Sequence, residues 1–386
     1  MVKTGLEVFL SRKSNLLEGE RLGLLVHSAS VNSNLEHTVD LFLKKRQKVV
    51  SLFAPQHGLY GETQANMVEW KGFNDPRTGL PVYSLYGGNR EPTEEMLKDL
   101  DTIVVDLQDV GSRYYTYLWT LYLVLKAASK FRKSVIVLDR PNPINGTMVE
   151  GPLLNPEFFS FVGLHPLPIR HGMTLGELAF LFNQEIGAFL EIVKMDGWDR
   201  EMWFDETGLP WVMPSPNMPI LETAIVYPGM CLLEGTNLSE GRGTTRPFEV
   251  FGAPWIDPWV LTKELKKSDL PGVTFRPLKF IPTFDKYKEE LCGGAQLHVH
   301  DRNAFKPFLT AVAILQSVKF LYPNQFQWRK PPYEYEKKKL PFDILAGSEE
   351  LRKGIEEEIP LRKIESSWMM ELKTFQSLRN RVLLYG

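Results

Sequence analysis

Cysteine is nearly absent from this 386-residue chain. Only Cys231 and Cys292 occur, in no CxxC or Cys/His cluster, which argues against a disulfide framework and a structural zinc site. Excess charge is missing as well. Lys and Arg number 45 against 47 Asp and Glu, a formal net charge of -2, so no global field gathers phosphate backbones or anionic lipid. Nucleic acid and membrane surfaces are therefore not expected as partners. No run approaches the ~18 apolar residues of a membrane span. The start, MVKTGLEVFLSRKSN, lacks the apolar segment and small-residue cleavage site of a secretory signal, so a reducing, cytoplasmic setting is expected. Several signatures are absent too: GxGxxG after the first strand, GxxxxGK[ST], HExxH and GxSxG. Dinucleotide oxidoreductases, P-loop NTPases, zincins and α/β-hydrolases are thereby disfavoured. No cofactor is expected and no metal: His298 and His300 share one strand face but lack a third ligand.

What the chain does have is apolar content, 43%, and a length that suggests roughly two domains at about 150 residues each. Short β-branched runs alternate with helical patterns through the first half. Strands are predicted at 21–27, 48–53, 81–86, 102–107, 134–139 and 190–195, with helices at 35–45, 92–100, 113–130 and 174–183 between them. This is the pattern of a Rossmann-like parallel sheet with crossover helices, α/β in class. Near residue 197 the texture turns to Trp, Pro and Gly. We place the boundary there: a Rossmann-like domain over 1–197 and a smaller α+β domain over 198–386, with strands at 273–284 and 294–300 and a helix at 305–320. Residues 227–251 show no helical or strand period, and such a stretch inside a compact protein is usually functional.

Polar residues concentrate in five loops. Ala54 to Glu69 carries Gln56, His57 and Glu62; 106–117 carries Asp106, Asp109, Arg113 and Tyr115; 138–151 carries Asp139, Arg140, Asn142, Asn145 and Glu150. Arg170 and His171 form the fourth, and 233–249 carries Glu234, Glu240 and Arg242. Ligands of open α/β sheets bind at the carboxyl ends of the strands, where Asp106 with Asp109 and Asp139 with Arg140 fall. Aspartates at such places also cap helices and turns. Carboxylates, amides, arginines and aromatic rings without a cofactor signature make up the inventory of carbohydrate recognition and glycoside hydrolysis. That chemistry needs one protonated carboxyl for the leaving oxygen and a second group for water or the anomeric carbon. Glu62, Glu234 and Glu240 are the carboxylates that glycine-rich loops present most freely, and His57 could orient one or shuttle a proton. Trp255 and Trp259 are candidates to stack on a sugar ring.

These segments resemble the bacterial exo-β-N-acetylmuramidase family, formerly an uncharacterised domain family (DUF1343). The motifs are PQHGLYG at 55–61, LPVYSLYG at 80–87, DLQDVGSRYYTY at 106–117, LDRPNPING at 138–146 and PIRHGMTLGEL at 168–178. WFDETGLPWVMPSPNMP at 203–219 and YPGMCLLEGTNLSEGRGTTRPFEVFGAPWI at 227–256 continue them. The resemblance implies a cleft between the two domains, a small saccharide substrate containing N-acetylmuramic acid, cleavage from the non-reducing end of peptidoglycan fragments, and no cofactor. Within these motifs Asn217, Asn237, Thr244 and Thr245 join the expected substrate-binding residues. The lactyl carboxylate of the sugar wants an arginine, and Arg113, Arg140, Arg170 and Arg242 lie in the motifs. One departure matters: many members of that family carry Glu, a leading candidate for the acid, where this chain has Gln56. A related pattern reads PQHG followed by a Gly-Glu pair like Gly61–Glu62. A neutral amide moves the acid role, with Glu62 the nearest substitute and Glu234 or Glu240 its partner, or leaves a sugar-binding protein or a divergent hydrolase or lyase.

Overall fold

A computed structural model of the chain describes residues 1–12, 17–64 and 67–386. Its first sheet has seven strands: β1 (Arg21–Val26), β2 (Lys48–Ala54), β3 (Phe73–Asn74), β4 (Pro81–Ser84), β5 (Thr102–Asp106), β6 (Ser134–Leu138) and β7 (Phe189–Val193), in the order β3-β4-β2-β1-β5-β6-β7. All neighbours pair parallel except β3, an antiparallel edge beside β4. The order reverses between β1 and β5, the topological switch point of a Rossmann-like sheet.

The run TIVVD of β5 is buried throughout because both faces are covered. Alternate residues feed different layers: Ile103 and Val105 join one apolar cluster with Leu118, Leu121, Leu125, Leu178 and Phe182, whereas Val104 joins another with Leu6, Phe9, Val39 and Phe42. The first set comes from helices Tyr117–Phe131 and Leu175–Ile186, the second from Gly5–Arg12 and Thr38–Lys44. Each side chain so buried contributes about 1.5–3 kcal/mol. Helix Leu175–Ile186 shows why its ends fall where they do. Thr174 and Glu177 form a reciprocal capping box, and Gly187 ends the helix at φ 70.

The second sheet is antiparallel, β8 (Val250–Ala253), β10 (Cys292–Val299) and β9 (Val273–Phe280) in that order. Helices Leu221–Met230 and Pro307–Leu321 pack together in this half. Gly229 is required there, since a Cβ at that position would lie 1.8 Å from the Pro307 carbonyl oxygen. The larger apolar cluster runs without a break from Leu25 in the first sheet to Phe275 and Leu315 in the second half. The chain end returns to the first sheet, where the Tyr385 hydroxyl donates to Asp139 at 2.6 Å.

The predicted elements of the first half all appear, with ends displaced by a few residues. The displacement that matters is in 113–130, whose helix starts only at Tyr117, leaving Arg113 to Thr116 as irregular chain. The 227–251 stretch is not wholly aperiodic: helix Leu221–Met230 enters it and β8 leaves it. That helix is apolar on nearly every side and contains Pro228, so it carries no amphipathic signal to read.

Candidate active site

A cleft opens beside the carboxyl ends of β2 and β4, roofed by residues 215–218, by 227–248 and by the segment around Tyr333. It encloses about 460 Å³, its open mouth included. Gln56 and His57 enter it directly after β2, Thr116 and Tyr117 from the start of helix Tyr117–Phe131, and Glu234 from the turn after helix Leu221–Met230. Glu334 completes the lining from the other half of the chain.

Two carboxyls line this cleft, and their surroundings push their pKa values apart. Glu234 accepts from Arg242 Nη2 and from the Tyr333 hydroxyl, each at 2.8 Å. Burial alone would raise its pKa, but the Arg242 charge and these hydrogen bonds outweigh it and hold the carboxyl below its usual range. Glu334 forms no ion pair among the described residues, and the Arg242 charge, the Gln56 amide and the Tyr86 hydroxyl together offset only part of what burial does. Burial raises it to about 7 and the neighbouring Glu234 charge adds to the rise, while the Tyr86 hydroxyl, donating at 3.0 Å, only moderates it. One carboxyl stays ionised and the other keeps its proton near neutrality. Such a divergence marks acid and base assignments in hydrolytic sites.

The Gln56 amide bridges this arrangement. Its oxygen accepts from Thr116 Oγ1 at 2.7 Å, which turns its nitrogen toward Glu334, 3.5 Å away. His57 sits at φ 74 with Nδ1 2.7 Å from the Thr63 carbonyl. Burial, with help from the Arg242 charge, depresses it to about 4, so it is neutral at pH 7. Glu334 and Tyr335 are also left-handed, at φ 43 and 70. Non-glycine residues held so cost on the order of 1–3 kcal/mol each and cluster at functional sites.

Of the residues singled out from the sequence, Gln56, His57, Tyr115, Asn217, Glu234 and Arg242 line the cleft. The others are placed elsewhere, for identifiable reasons. Glu62 is exposed and accepts from the Tyr60 amide of its own loop. Glu240 is buried behind Arg242, paired with it at 3.1 Å and with Lys286 at 2.9 Å. Asp106 and Arg140 pair with each other, and Arg113 donates to the carbonyls of Pro152, Leu167 and Leu345. Asp109 binds the Gly111 amide beside His171. Asn142 donates to the Met173 carbonyl while accepting from the Ile144 amide, Asn145 accepts from the Met148 amide of its own loop, Arg170 donates to the Ile144 carbonyl, and Asn237 clamps residues 325–327. Thr244 donates to the Gly241 carbonyl and Thr245 is exposed. Glu150 is also raised to about 7 by burial, yet its oxygens accept from the Phe308 and Leu309 amides, capping helix Pro307–Leu321 away from the cleft. Trp255 packs on Tyr322 and Trp259 lies exposed beside Lys279, neither in the cleft. His298 and His300 are exposed, and among the described residues no group of three or more His, Cys, Asp or Glu could hold a metal.

Glu334, Tyr333, Tyr86 and Thr116 were not singled out. The available signal was a glutamate between two tyrosines after Pro331 and Pro332, an apolar frame unusual for a carboxylate.

Comparison with known proteins yields family models for the N-terminal and C-terminal parts of the exo-beta-N-acetylmuramidase NamZ, matching residues 22–222 and 225–385. The chain is 45% identical to a peptidoglycan beta-N-acetylmuramidase NamZ of Bacillus subtilis (strain 168) over 387 aligned positions, covering 100% of this chain and 91% of that protein. Two solved DUF1343 family proteins of Bacteroides fragilis share the fold. One has a TM-score of 0.91 at 36% identity, the other 0.78 at 28%, each alignment covering 100% of this chain and 99% of theirs.

Proposed function

The chain belongs to the exo-beta-N-acetylmuramidase NamZ family, whose two models together span most of it, and from that premise we propose which residues carry its hydrolytic reaction. It is a glycoside hydrolase of peptidoglycan turnover, acting on saccharides derived from the cell wall. The bond we assign to it joins N-acetylmuramic acid, at the non-reducing end, to the next sugar through a β-glycosidic oxygen.

Glu334 is the general acid in this reading. Its pKa of about 7 keeps a proton available at neutral pH for the leaving oxygen, whose departure an unassisted bond resists. Glu234 is the ionised partner on the anomeric side, oriented by Arg242 and Tyr333 toward the water or the anomeric carbon. Gln56 positions the acid: an amide there lets Thr116 set which atom faces Glu334, and it adds no charge. Its presence therefore fits a hydrolase whose acid lies on another loop, and it does not require the binding-only alternative. Tyr115, Ser215 and Asn217 supply directional hydrogen-bonding groups for hydroxyl and acetamido substituents. Two free thiols, Cys231 and Cys292, suit a reducing compartment such as the cytoplasm.

The observation that carries the assignment is the divergence of two buried carboxyls in one cleft. Its test is incubation of the purified protein with the disaccharide N-acetylmuramyl-N-acetylglucosamine, products being read by mass beside a Glu334→Gln variant. Release of both sugars by the wild type, lost in the variant while sugar binding persists, is expected. Undiminished turnover by Glu334→Gln would sink the assignment, and an inert wild type the reaction itself.

A further inference from the structure

The sugar that defines this family differs from N-acetylglucosamine by a lactyl ether ending in a carboxylate, which calls for a cation. Arg242, the arginine lining the cleft, already faces Glu234 and Glu240 at 2.8 and 3.1 Å. A third carboxylate on it would compete with the ionised member of the catalytic pair. Arg113, Arg140 and Arg170 are spent on carbonyls or on Asp106. Arg90 is different.

Arg90 is half-buried, with its guanidinium carbon 4.0 Å from the centre of the Tyr335 ring and 5.7 Å from that of Phe161. Tyr86 packs on both rings and donates its hydroxyl to Glu334. The guanidinium thus stands, outside the set of residues that line the cleft, on the aromatic group that flanks the acid, Tyr335 being the residue after Glu334. Among the described residues it donates no hydrogen bond and pairs with no carboxylate. Glu69, exposed nearby, acts electrostatically on Tyr335 without forming an ion pair with Arg90. A stacked guanidinium keeps its planar edge of N–H donors free and pre-oriented for a carboxylate.

Resting on the hydrolase reading above, we infer that Arg90 receives the lactyl carboxylate of the substrate and sets the preference for N-acetylmuramic acid. The contact is bidentate, made by the guanidinium edge while its face stays on Tyr335. Because Tyr335 adjoins Glu334, the same contact aligns the glycosidic oxygen with the acid.

The test compares chromogenic β-glycosides of N-acetylmuramic acid and of its neutral lactyl amide. Wild type should favour the acid by about 10- to 100-fold in kcat/KM, the range of a charge-assisted hydrogen-bonded pair. Arg90→Ala should bring the ratio to about one, with Arg90→Lys between, since an ammonium offers the charge without the fork. Turnover of the amide shows that each variant is folded. Equal losses on both glycosides, with the ratio kept, would overturn the inference and leave Arg90 as packing on Tyr335. Calorimetric binding of free N-acetylmuramic acid and its amide reads the same preference without turnover. An inert wild type would thus defeat the hydrolase reading alone, while an acid preference in binding that Arg90→Ala leaves intact would defeat this one.

Discussion

The carboxyl edge of one sheet carries two sets of buried charges that look alike in sequence and behave in opposite ways. At the switch point between β1 and β5, Asp106 meets Arg140 through two contacts, at 2.5 and 2.9 Å, and takes a further hydrogen bond from Thr38. Phe204, Leu209 and Trp211 border a cavity of about 350 Å³ at the place where Rossmann-like proteins bind nucleotides, and the arginine that reaches it, Arg140, is already paired with Asp106. Beside β2 and β4 the balance is left open. Glu234 is paired with Arg242, Glu334 forms no ion pair among the described residues, and both line one cleft. A buried network whose partners are complete holds the fold; one with a carboxyl left over holds a proton at neutral pH.

The largest effect that would break this contrast concerns rate alone. Glu334→Gln should lower kcat by about 10²- to 10⁴-fold with little change in thermal stability, measured by steady-state kinetics beside calorimetry. At the switch point the reverse is expected. Arg140→Met leaves Asp106 buried without its cation, and urea unfolding should show a loss of about 3–5 kcal/mol. A variant that lost activity without losing stability would move the switch point into the site.

Next is pH. Glu334 must be protonated to act, so log kcat/KM should fall as pH rises through about 7, and the fall should vanish from the residual rate of Glu334→Gln. Glu234 must be ionised, and its lowered pKa puts the acidic limb below 4.5. Stability has the matching sign. The folded pKa of Glu334 exceeds its unfolded value of 4.5, so the folded state holds the proton more tightly and stability declines from about pH 4.5 to about 7. Glu334→Gln should lessen that decline in denaturant titrations.

The smallest effect sharpens the role of Gln56. Gln56→Glu sets a second carboxyl against Glu334, and the basic limb should move upward by about one unit as like charges disfavour ionisation. An unmoved limb would separate Gln56 from the acid.

Much of the fold was legible because its determinants are local. Runs such as TIVVD and the capping pair Thr174–Glu177 state strand and helix within a few residues. The loops after β2 and at 227–251 stood out as candidates for a related reason, their polar and glycine content, although helix Leu221–Met230 enters the second of them. Which carboxyl would act was not legible. Glu62, Glu234 and Glu240 all sit in such loops, yet Glu62 faces solvent and Glu240 is tied to Arg242 and Lys286.

The sequence by itself determined the layered α/β architecture and pointed to six of the sixteen residues that line the candidate cleft, since periodicity, turn chemistry and motif content are properties of neighbouring residues. Tertiary structure decided the chemistry. A carboxyl's pKa depends on what desolvates it, what hydrogen-bonds it and which charges act on it, and for Glu334 those are Tyr86, Gln56, Glu234 and Arg242, distant along the chain and brought together only once it has folded.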